Sequence, residues 1–198
     1  MLTTNTPTTQ QHWLESAGGY FSGIIMLHGT QHRVITAPAD QGQFKGQWLP
    51  EYDDVPGARS FFDSAANTRA MAEAGSVIAQ RALAANINGF TDWVIPARDV
   101  LEVMYRAHKP TTDKNWIYRG DNPSSVPVGY PYTADAPART ADKDFQKGGA
   151  QAFLSDWYWS STQSSSDGAW FQHFRHGNQN VLNKHFELQV RLARLIPL

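Results

Sequence analysis

The chain has 198 residues, of which 41% are hydrophobic and 12% aromatic, and its formal net charge is −1. This length and composition predict one folded domain with a sizeable core. A charged fraction of 18% without a basic excess excludes the electrostatic footprint of a nucleic-acid-binding protein. The absence of cysteine excludes disulfides, thiolate zinc sites and cysteine nucleophiles.

The N-terminal segment predicts neither an export signal nor membrane insertion. Residues 1–11 are rich in Thr, Asn and Gln and lack the basic start and apolar centre of a signal peptide. Residues 24–27 form the longest aliphatic run, which is far too short to cross a bilayer. We therefore expect a polar N-terminal arm over residues 1–17 and a single domain over residues 18–198.

The first elements of this domain are predicted to be strands. Residues 20–27 and 31–37 are dense in aromatic and β-branched residues, and the turn residues His28, Gly29 and Thr30 separate them. The pattern is typical of a β-hairpin. Trp48 and Leu49 form a short apolar anchor further along.

The best helix signal lies over residues 67–87, which are rich in alanine, the strongest helix former. Gly75 and Ser76 mark the point where this helix would break or kink. A second helix is predicted over residues 97–107, whose apolar residues follow helical spacing. Pro96 suits its first turn, where the missing N–H has no partner.

A turn and a short strand are predicted between these helices. Asn88 and Gly89 accept the positive φ angles of a tight turn. Trp93, Val94 and Ile95 follow as an apolar run too short for a helix. Residues 67–107 therefore predict a helix, a turn, a short strand and a second helix.

Residues 110–150 are predicted to form a long irregular insertion. They contain five of the eleven prolines and little periodicity, and Tyr118, Tyr130 and Tyr132 punctuate them. Such excursions are usually functional or packed against a partner. A short helix is expected within residues 142–152.

The last section predicts a β-meander. Its aromatic triplet, residues 157–159, is expected in the core, and residues 169–176 alternate between two faces. Gly177 and Asn178 would turn the chain, and residues 181–195 would add one or two strands. Together with the helices, this section predicts an α+β domain.

Metal sites are considered at three places. Glu51, Asp53 and Asp54 lie close together but lack the spacing of a dedicated calcium loop. His28 and His32 are four residues apart, but in a strand–turn–strand region this spacing does not place them on one face. A further set would have to converge across the terminal hairpin to hold zinc: His173, His176 and His185.

No catalytic motif is present in the sequence. The nucleophile elbow, the phosphate-binding loop and the dinucleotide fingerprint are all absent. We expect no enzymatic activity, no metal and no other cofactor.

The segment from residue 163 to residue 187 combines an aromatic framework with adaptable amide, hydroxyl and imidazole groups, as many binding surfaces do. The alternative is that these are ordinary soluble loop residues. The candidate ligand-binding residues are Gln163, Ser164, Ser165, Asp167, Gln172, His173, His176, Asn178, Gln179, Asn180, Asn183 and His185.

Three motifs occur in order along the chain: GFTDWVIP at residues 89–96, WYWSST at residues 157–162 and VRLAR at residues 190–194. They resemble the G-x-x-D-W-R-L-P, Y-W-S-S-T and V-R-x-V-R forms of a family of domains. That family occurs at the C-terminus of collagen-like bacterial adhesins and in many bacteriophage genes. Residues 57–60 and 66–70 resemble its phage branch, and the resemblance covers about residues 18–198.

The resemblance implies a C-type-lectin-like fold, related to formylglycine-generating enzymes, with two helices flanking small antiparallel sheets. It implies binding rather than catalysis, since those related enzymes work through cysteines and this chain has none. Trp93, Trp159 and Trp170 lie in the motifs and are expected to be buried. The chain departs from the family forms at Val94 and Ile95, where Arg and Leu are usual.

The function expected from the resemblance is that of a phage tail or fibre protein that binds a host-surface receptor, a glycan or a surface protein. Its partners would be other virion proteins, further copies of the chain and that receptor, and it would be made in the host bacterial cytoplasm. Two alternatives remain open, namely a structural protein that decorates or cements the capsid or tail, and a bacterial or prophage adhesin module.

Overall fold

The computed structural model describes residues 13–117 and 120–198, which form a mixed α+β domain built mainly of β-sheet. This confirms the predicted α+β class. The strands are β1 (Trp13–Leu14), β2 (Gly19–Leu27), β3 (Thr30–Thr36), β4 (Gln43–Gln47), β5 (Ser125–Val126), β6 (Trp157–Gln163), β7 (Gly168–His173), β8 (Gln179–Asn183), β9 (Glu187–Arg191) and β10 (Ala193–Pro197). The α-helices are α1 (Ala39–Gly42), α2 (Ser64–Glu73), α3 (Val77–Leu83) and α4 (Arg98–His108).

Two sheets of five strands organise the domain. The first sheet has the order β1-β2-β3-β10, and β5 also pairs with β2. The second sheet has the order β4-β9-β6-β7-β8. Neighbouring strands are antiparallel except β6 and β9, which pair in parallel. No helix of the described residues is long and apolar enough to cross a membrane.

The β2–β3 hairpin confirms the first predicted element. His28 and Gly29 have φ angles of 48° and 82°, so they supply the two positive φ angles of a tight hairpin turn. Residues 13–17, expected in the arm, instead belong to the fold. β1 pairs with the start of β2, and a 3-10 turn follows over Glu15–Ala17. Residues 1–12 of the expected arm lie outside the described residues.

Two helices occupy the region predicted as one helix with a break or kink at Gly75 and Ser76, and they lie over 64–73 and 77–83 instead of 67–87. α2 ends at Glu73, Gly75 adopts a φ of 93°, and α3 begins at Val77. The Ser76 hydroxyl donates to the backbone carbonyl of Trp48 at 2.6 Å, which fixes the break against the apolar anchor. The break therefore falls at the residues that the sequence marked.

The turn before α4 confirms its prediction, but the short strand does not form. Asn88 and Gly89 have φ angles of 54° and 83°, and Ile87 and Phe90 close the turn. Of the expected strand, only Val94 pairs, in an isolated bridge with Ala193.

α4 matches the predicted second helix within one residue. It begins at Arg98, so Pro96 precedes the helix instead of lying in its first turn. The Ala97 N–H donates to the Ser64 hydroxyl at 2.8 Å, which ties the start of α4 to the start of α2. Both Leu101 and Met104 on its apolar face are fully buried.

Two of the sequence motifs meet through an ion pair. Arg194 in β10 donates through Nε and Nη2 to the two carboxylate oxygens of Asp92, at 2.5 and 3.0 Å. Asp92 lies beside the buried Trp93, and Arg194 also packs over the Phe90 ring at 4.0 Å. The bidentate geometry fixes the last strand against the segment before α4.

The insertion over residues 110–150 is irregular, as predicted. The helix expected within residues 142–152 is reduced to a 3-10 turn at Lys143–Phe145. Tyr132 is buried and its hydroxyl donates to Glu102 of α4 at 2.7 Å, whereas Tyr130 is exposed. Burial raises the pKa of the Glu102 carboxyl, against the lowering effect of neighbouring Arg106. Tyr118 lies outside the described residues.

The C-terminal section holds more strands than predicted. Residues 181–195 include parts of β8, β9 and β10, where one or two strands were expected. Trp93 and Trp159 are fully buried, which confirms two of the three predicted core tryptophans. Trp170 is half-buried, and Trp157 of the aromatic triplet is 37% exposed. Trp157 is the first residue of β6, the central strand of the second sheet.

Candidate binding surface

Some of the twelve candidate ligand-binding residues are buried and others are exposed, according to the face of the second sheet that they occupy. Successive side chains of a strand point to opposite faces, so neighbouring residues have opposite environments. Gln163, Gln172 and Gln179 are buried, with exposures of 3%, 0% and 5%. These three candidate ligand-binding residues are therefore not at the surface of the described fold.

Gln163 is a structural residue in the described fold. Its Oε1 accepts hydrogen bonds from the Val55 N–H at 2.8 Å and from the Lys184 ammonium at 2.6 Å. Its Nε2 donates to Asp54. A buried polar group needs such partners, and the Gln163 amide has three: the Val55 backbone, the Lys184 ammonium and the Asp54 carboxylate. Burial lowers the pKa of Lys184 to about 8.

The other two glutamines form a cross-strand pair on the buried face. Gln172 in β7 faces Gln179 in β8. Gln172 Nε2 donates to the Tyr132 hydroxyl at 3.2 Å, and Gln179 Nε2 donates to the backbone carbonyl of Arg98 at 3.3 Å. They connect the second sheet to the insertion and to the start of α4.

The other nine predicted residues are exposed or half-buried. The exposed ones are Ser164, Ser165, Asp167 and Asn180. The half-buried ones are His173, His176, Asn178, Asn183 and His185.

The structure groups Asn183 and His185 around an aromatic residue that the sequence reading did not select. The His185 ring contacts the Tyr52 ring edge-on, with centroids 4.0 Å apart. Asn183 Nδ2 donates to the Tyr52 hydroxyl at 2.9 Å.

A second group contains His173 and His176 and lies between two exposed tryptophans. The ring centroids of Trp157 and His173 are 6.2 Å apart, those of His173 and His176 are 4.3 Å apart, and those of His176 and Trp116 are 6.0 Å apart. We call these four residues the aromatic–imidazole row. The Trp157 ring stacks on buried Phe171 at 5.1 Å and 20°, so one face of the indole has a rigid support.

Both imidazoles of the row are held neutral at neutral pH. Burial, and after it the neighbouring His176, lower the pKa of His173 to about 4. Burial and then Arg175 lower the pKa of His176. Each Nδ1 faces a backbone N–H, from Arg175 at 3.1 Å and from Asn178 at 3.4 Å. Nδ1 is therefore the acceptor in each ring, and Nε2 carries the proton.

Two charged groups beside the row, Arg175 and Asp113, pair with each other. Arg175 Nε donates to Asp113 Oδ2 at 2.8 Å, and both side chains are partly exposed. The Arg175 hydrogen bond lowers the pKa of Asp113, so this carboxyl stays ionised at neutral pH. The row therefore carries aromatic surface and N–H donors but little net charge.

Two of the candidate metal ligands of the sequence, Asp54 and His28, pair with other side chains. Asp54 pairs with Arg59 at 2.6 Å, and His28 Nε2 contacts Asp63 Oδ2 at 2.9 Å. Within residues 13–117 and 120–198, no group of three or more His, Asp or Glu side chains is arranged to hold a metal ion.

Sequence reasoning did not select Trp116 and Trp157 for this surface. Trp157 was assigned to the core with its two neighbours, although strand alternation in β6 separates its exposure from that of Tyr158. Trp116 lies in the irregular insertion, where no periodicity predicts which side chains approach the second sheet.

Comparisons with known proteins give little for this chain. No family model and no curated protein matches it. Among solved structures, a fimbrial protein from Bacteroides ovatus ATCC 8483 is similar, with a TM-score of 0.44 and 11% sequence identity. The match covers 85% of this chain and 36% of that protein, so the chain spans about a third of its length.

Proposed function

We propose that this chain is a non-enzymatic bacteriophage virion protein of the tail or its fibres, which binds a receptor on the host surface. We further propose that its α+β fold is C-type-lectin-like. The three motifs support the fold, as do two small sheets accompanied by α2 and α4. The geometry of the aromatic–imidazole row is the observation that carries the binding role.

A binding surface needs rigid anchors and accessible polar groups close to them. Trp157 is anchored on buried Phe171, and His173 and His176 are oriented by backbone N–H groups. Asn180 lies opposite Phe171 in the neighbouring strand and is exposed. This combination supports recognition of another molecule without any catalytic group.

A groove favours the second candidate function, decoration or cementing of the particle. It has a volume of about 410 Å³ and lies between the β2 edge, α4 and the insertion. Val128 and Tyr130 line it and are 68% and 56% exposed. An exposed apolar groove of this kind suits contact with another virion protein.

Adsorption of particles tests the receptor role against the decoration role. We would replace His173, Asn178 and Asn180 together by Ala and leave buried Gln172 intact. The receptor proposal expects host adsorption to fall at least about tenfold, with particle assembly unchanged. Arg69→Ala/Glu73→Ala, on the exposed side of α2, serves as the control. Normal adsorption by the triple variant would contradict the receptor role.

The position of the chain in the particle provides the second measurement. Antibodies against the purified chain should mark the tail or its fibres in immunoelectron microscopy. Labelling spread over the head would favour decoration, and unlabelled particles would contradict a virion role altogether.

A further inference from the structure

The aromatic–imidazole row is a donor surface. Each imidazole uses Nδ1 to accept a backbone N–H, so Nε2–H is the group left for a ligand. Neither Nε2 has a hydrogen-bond partner among the described residues, and neither is among their buried polar atoms without partners. Both groups therefore reach solvent and require acceptor atoms on whatever binds there.

The row also selects against negative charge. Arg175 pairs with Asp113 beside it, and both imidazoles are neutral at neutral pH. The Asp156 carboxylate, next to Trp157, also acts on the pKa of His173. An anionic ligand would therefore meet carboxylates and a cation that is already paired, so a ligand that matches this surface carries no negative charge.

The row presents several rings to one ligand. Trp157 and Trp116 are 37% and 46% exposed, and each contacts one of the two imidazoles. Neighbouring centroids are 4.3 to 6.2 Å apart, so a ligand of several sugar units can contact these rings in succession. Indole faces suit the apolar C–H face of a sugar, and the central N–H donors suit carbonyl oxygens.

We propose that the row binds an uncharged oligosaccharide that carries acetamido groups, without calcium. The acetamido carbonyl accepts from an imidazole Nε2–H, and the sugar rings stack on Trp157 and Trp116. This inference rests on the proposed receptor role and names the ligand class for the same surface. The absence of calcium follows from the donor set, since Nε2–H groups and indole faces contact the sugar directly.

The first test measures direct binding of the purified chain to chitotriose by isothermal titration calorimetry. Chitotriose carries acetamido groups, maltotriose lacks them, and sialyllactose is anionic. We expect binding of chitotriose at least about tenfold tighter than of either comparison sugar, unchanged in EDTA. Equal binding of all three sugars, no binding of chitotriose, or loss of binding in EDTA would overturn the proposal.

Variants then assign the interaction to the row. Trp157→Ala should weaken chitotriose binding about tenfold or more, whereas Trp157→Phe should retain most of it. His173→Gln keeps an N–H donor and should bind, whereas His173→Leu should not. Phe186→Ala, which removes a 55% exposed side chain outside the row, is the matched control. Wild-type binding by Trp157→Ala, shown to be folded by circular dichroism, would overturn the assignment.

Competition separates this proposal from the receptor role. Excess chitotriose should block adsorption of particles to host cells. If the His173, Asn178 and Asn180 variant loses adsorption but chitotriose neither binds nor competes, the ligand class is wrong and the receptor role stands. If chitotriose binds the row but that variant adsorbs normally, the receptor role is wrong and the saccharide site stands.

Discussion

Two neighbouring cross-strand pairs in β7 and β8 have opposite roles. Gln172 and Gln179 face each other on the buried side of the sheet, whereas Phe171 and Asn180 are paired on the other side. The glutamines connect the sheet to the insertion and to α4, and Asn180 is exposed. Amide side chains of one stretch therefore either stabilise the fold or remain exposed for binding, according to the face of the sheet that they occupy. Residue type alone does not decide between the two roles.

The largest loss of stability is expected from a substitution in the hydrophobic core, at Trp93. Trp93→Ala should lower the free energy of unfolding by about 3–5 kcal/mol, because it leaves a cavity in a fully buried site. Urea denaturation of the variant measures the change. Melting like the parent protein would show that the motif around Trp93 does not organise the fold.

Gln163 gives the strongest test of the buried glutamines. Gln163→Ala removes the partner of the Val55 N–H and of the Lys184 ammonium, and it should destabilise the fold by about 3 kcal/mol. The adjacent Ser164→Ala, at an exposed position, is the matched control and should change stability by less than about 0.5 kcal/mol. If Gln163→Ala and Ser164→Ala were equally stable in denaturant, Gln163 would contribute no more to the fold than an exposed residue, and the contrast between buried and exposed amides would fail.

His173 should make stability depend on pH. Its pKa of about 4 in the folded chain lies below the ordinary value of about 6.5 in the unfolded chain. Between these values the unfolded chain binds more protons, so the free energy of unfolding falls as the pH is lowered from 7 to 4. Because the ring is half-exposed, solvent screening limits the loss to about 1 kcal/mol.

Thermal unfolding at a series of pH values measures this contribution. His173→Gln should flatten the dependence between pH 7 and 4, since the amide does not titrate. An identical slope in the variant would assign the dependence to other groups.

The smallest effect on stability is expected at the exposed candidate binding residue Asn180. Asn180→Ala should change the free energy of unfolding by less than about 0.5 kcal/mol, because the side chain is exposed. Under the receptor proposal the same variant should reduce adsorption. A stability loss comparable to that of Gln163→Ala would show that the exposed and buried amides do not differ.

The sequence predicted the local elements better than their bounds. The β2–β3 hairpin, the Asn88–Gly89 turn, the break at Gly75 and Ser76, and α4 follow from turn residues and helical periodicity, which act over a few residues. Alanine-rich propensity nevertheless extended the second half of the helical region beyond Leu83, where α3 ends.

The candidate surface was only partly predictable for the same reason. The polar composition of residues 163–185 marked the region. Of the three histidines considered together, His173 and His176 lie 4.3 Å apart, whereas His185 contacts Tyr52. Which glutamines turn inward depends on the register of β7 with β8. Trp116 joins the row through the path of an irregular insertion, for which the sequence has no periodic signal.

The pairing of β10 with β3 bears on how the chain folds. Ala193–Pro197 align with residues 32–36, so the pairing that completes the first sheet joins residues more than 150 positions apart. During synthesis, the edge of β3 in the β2–β3 hairpin stays unpaired until β10 has left the ribosome. Such long-range pairing predicts slow completion of the fold and a nascent chain that is prone to aggregation until then.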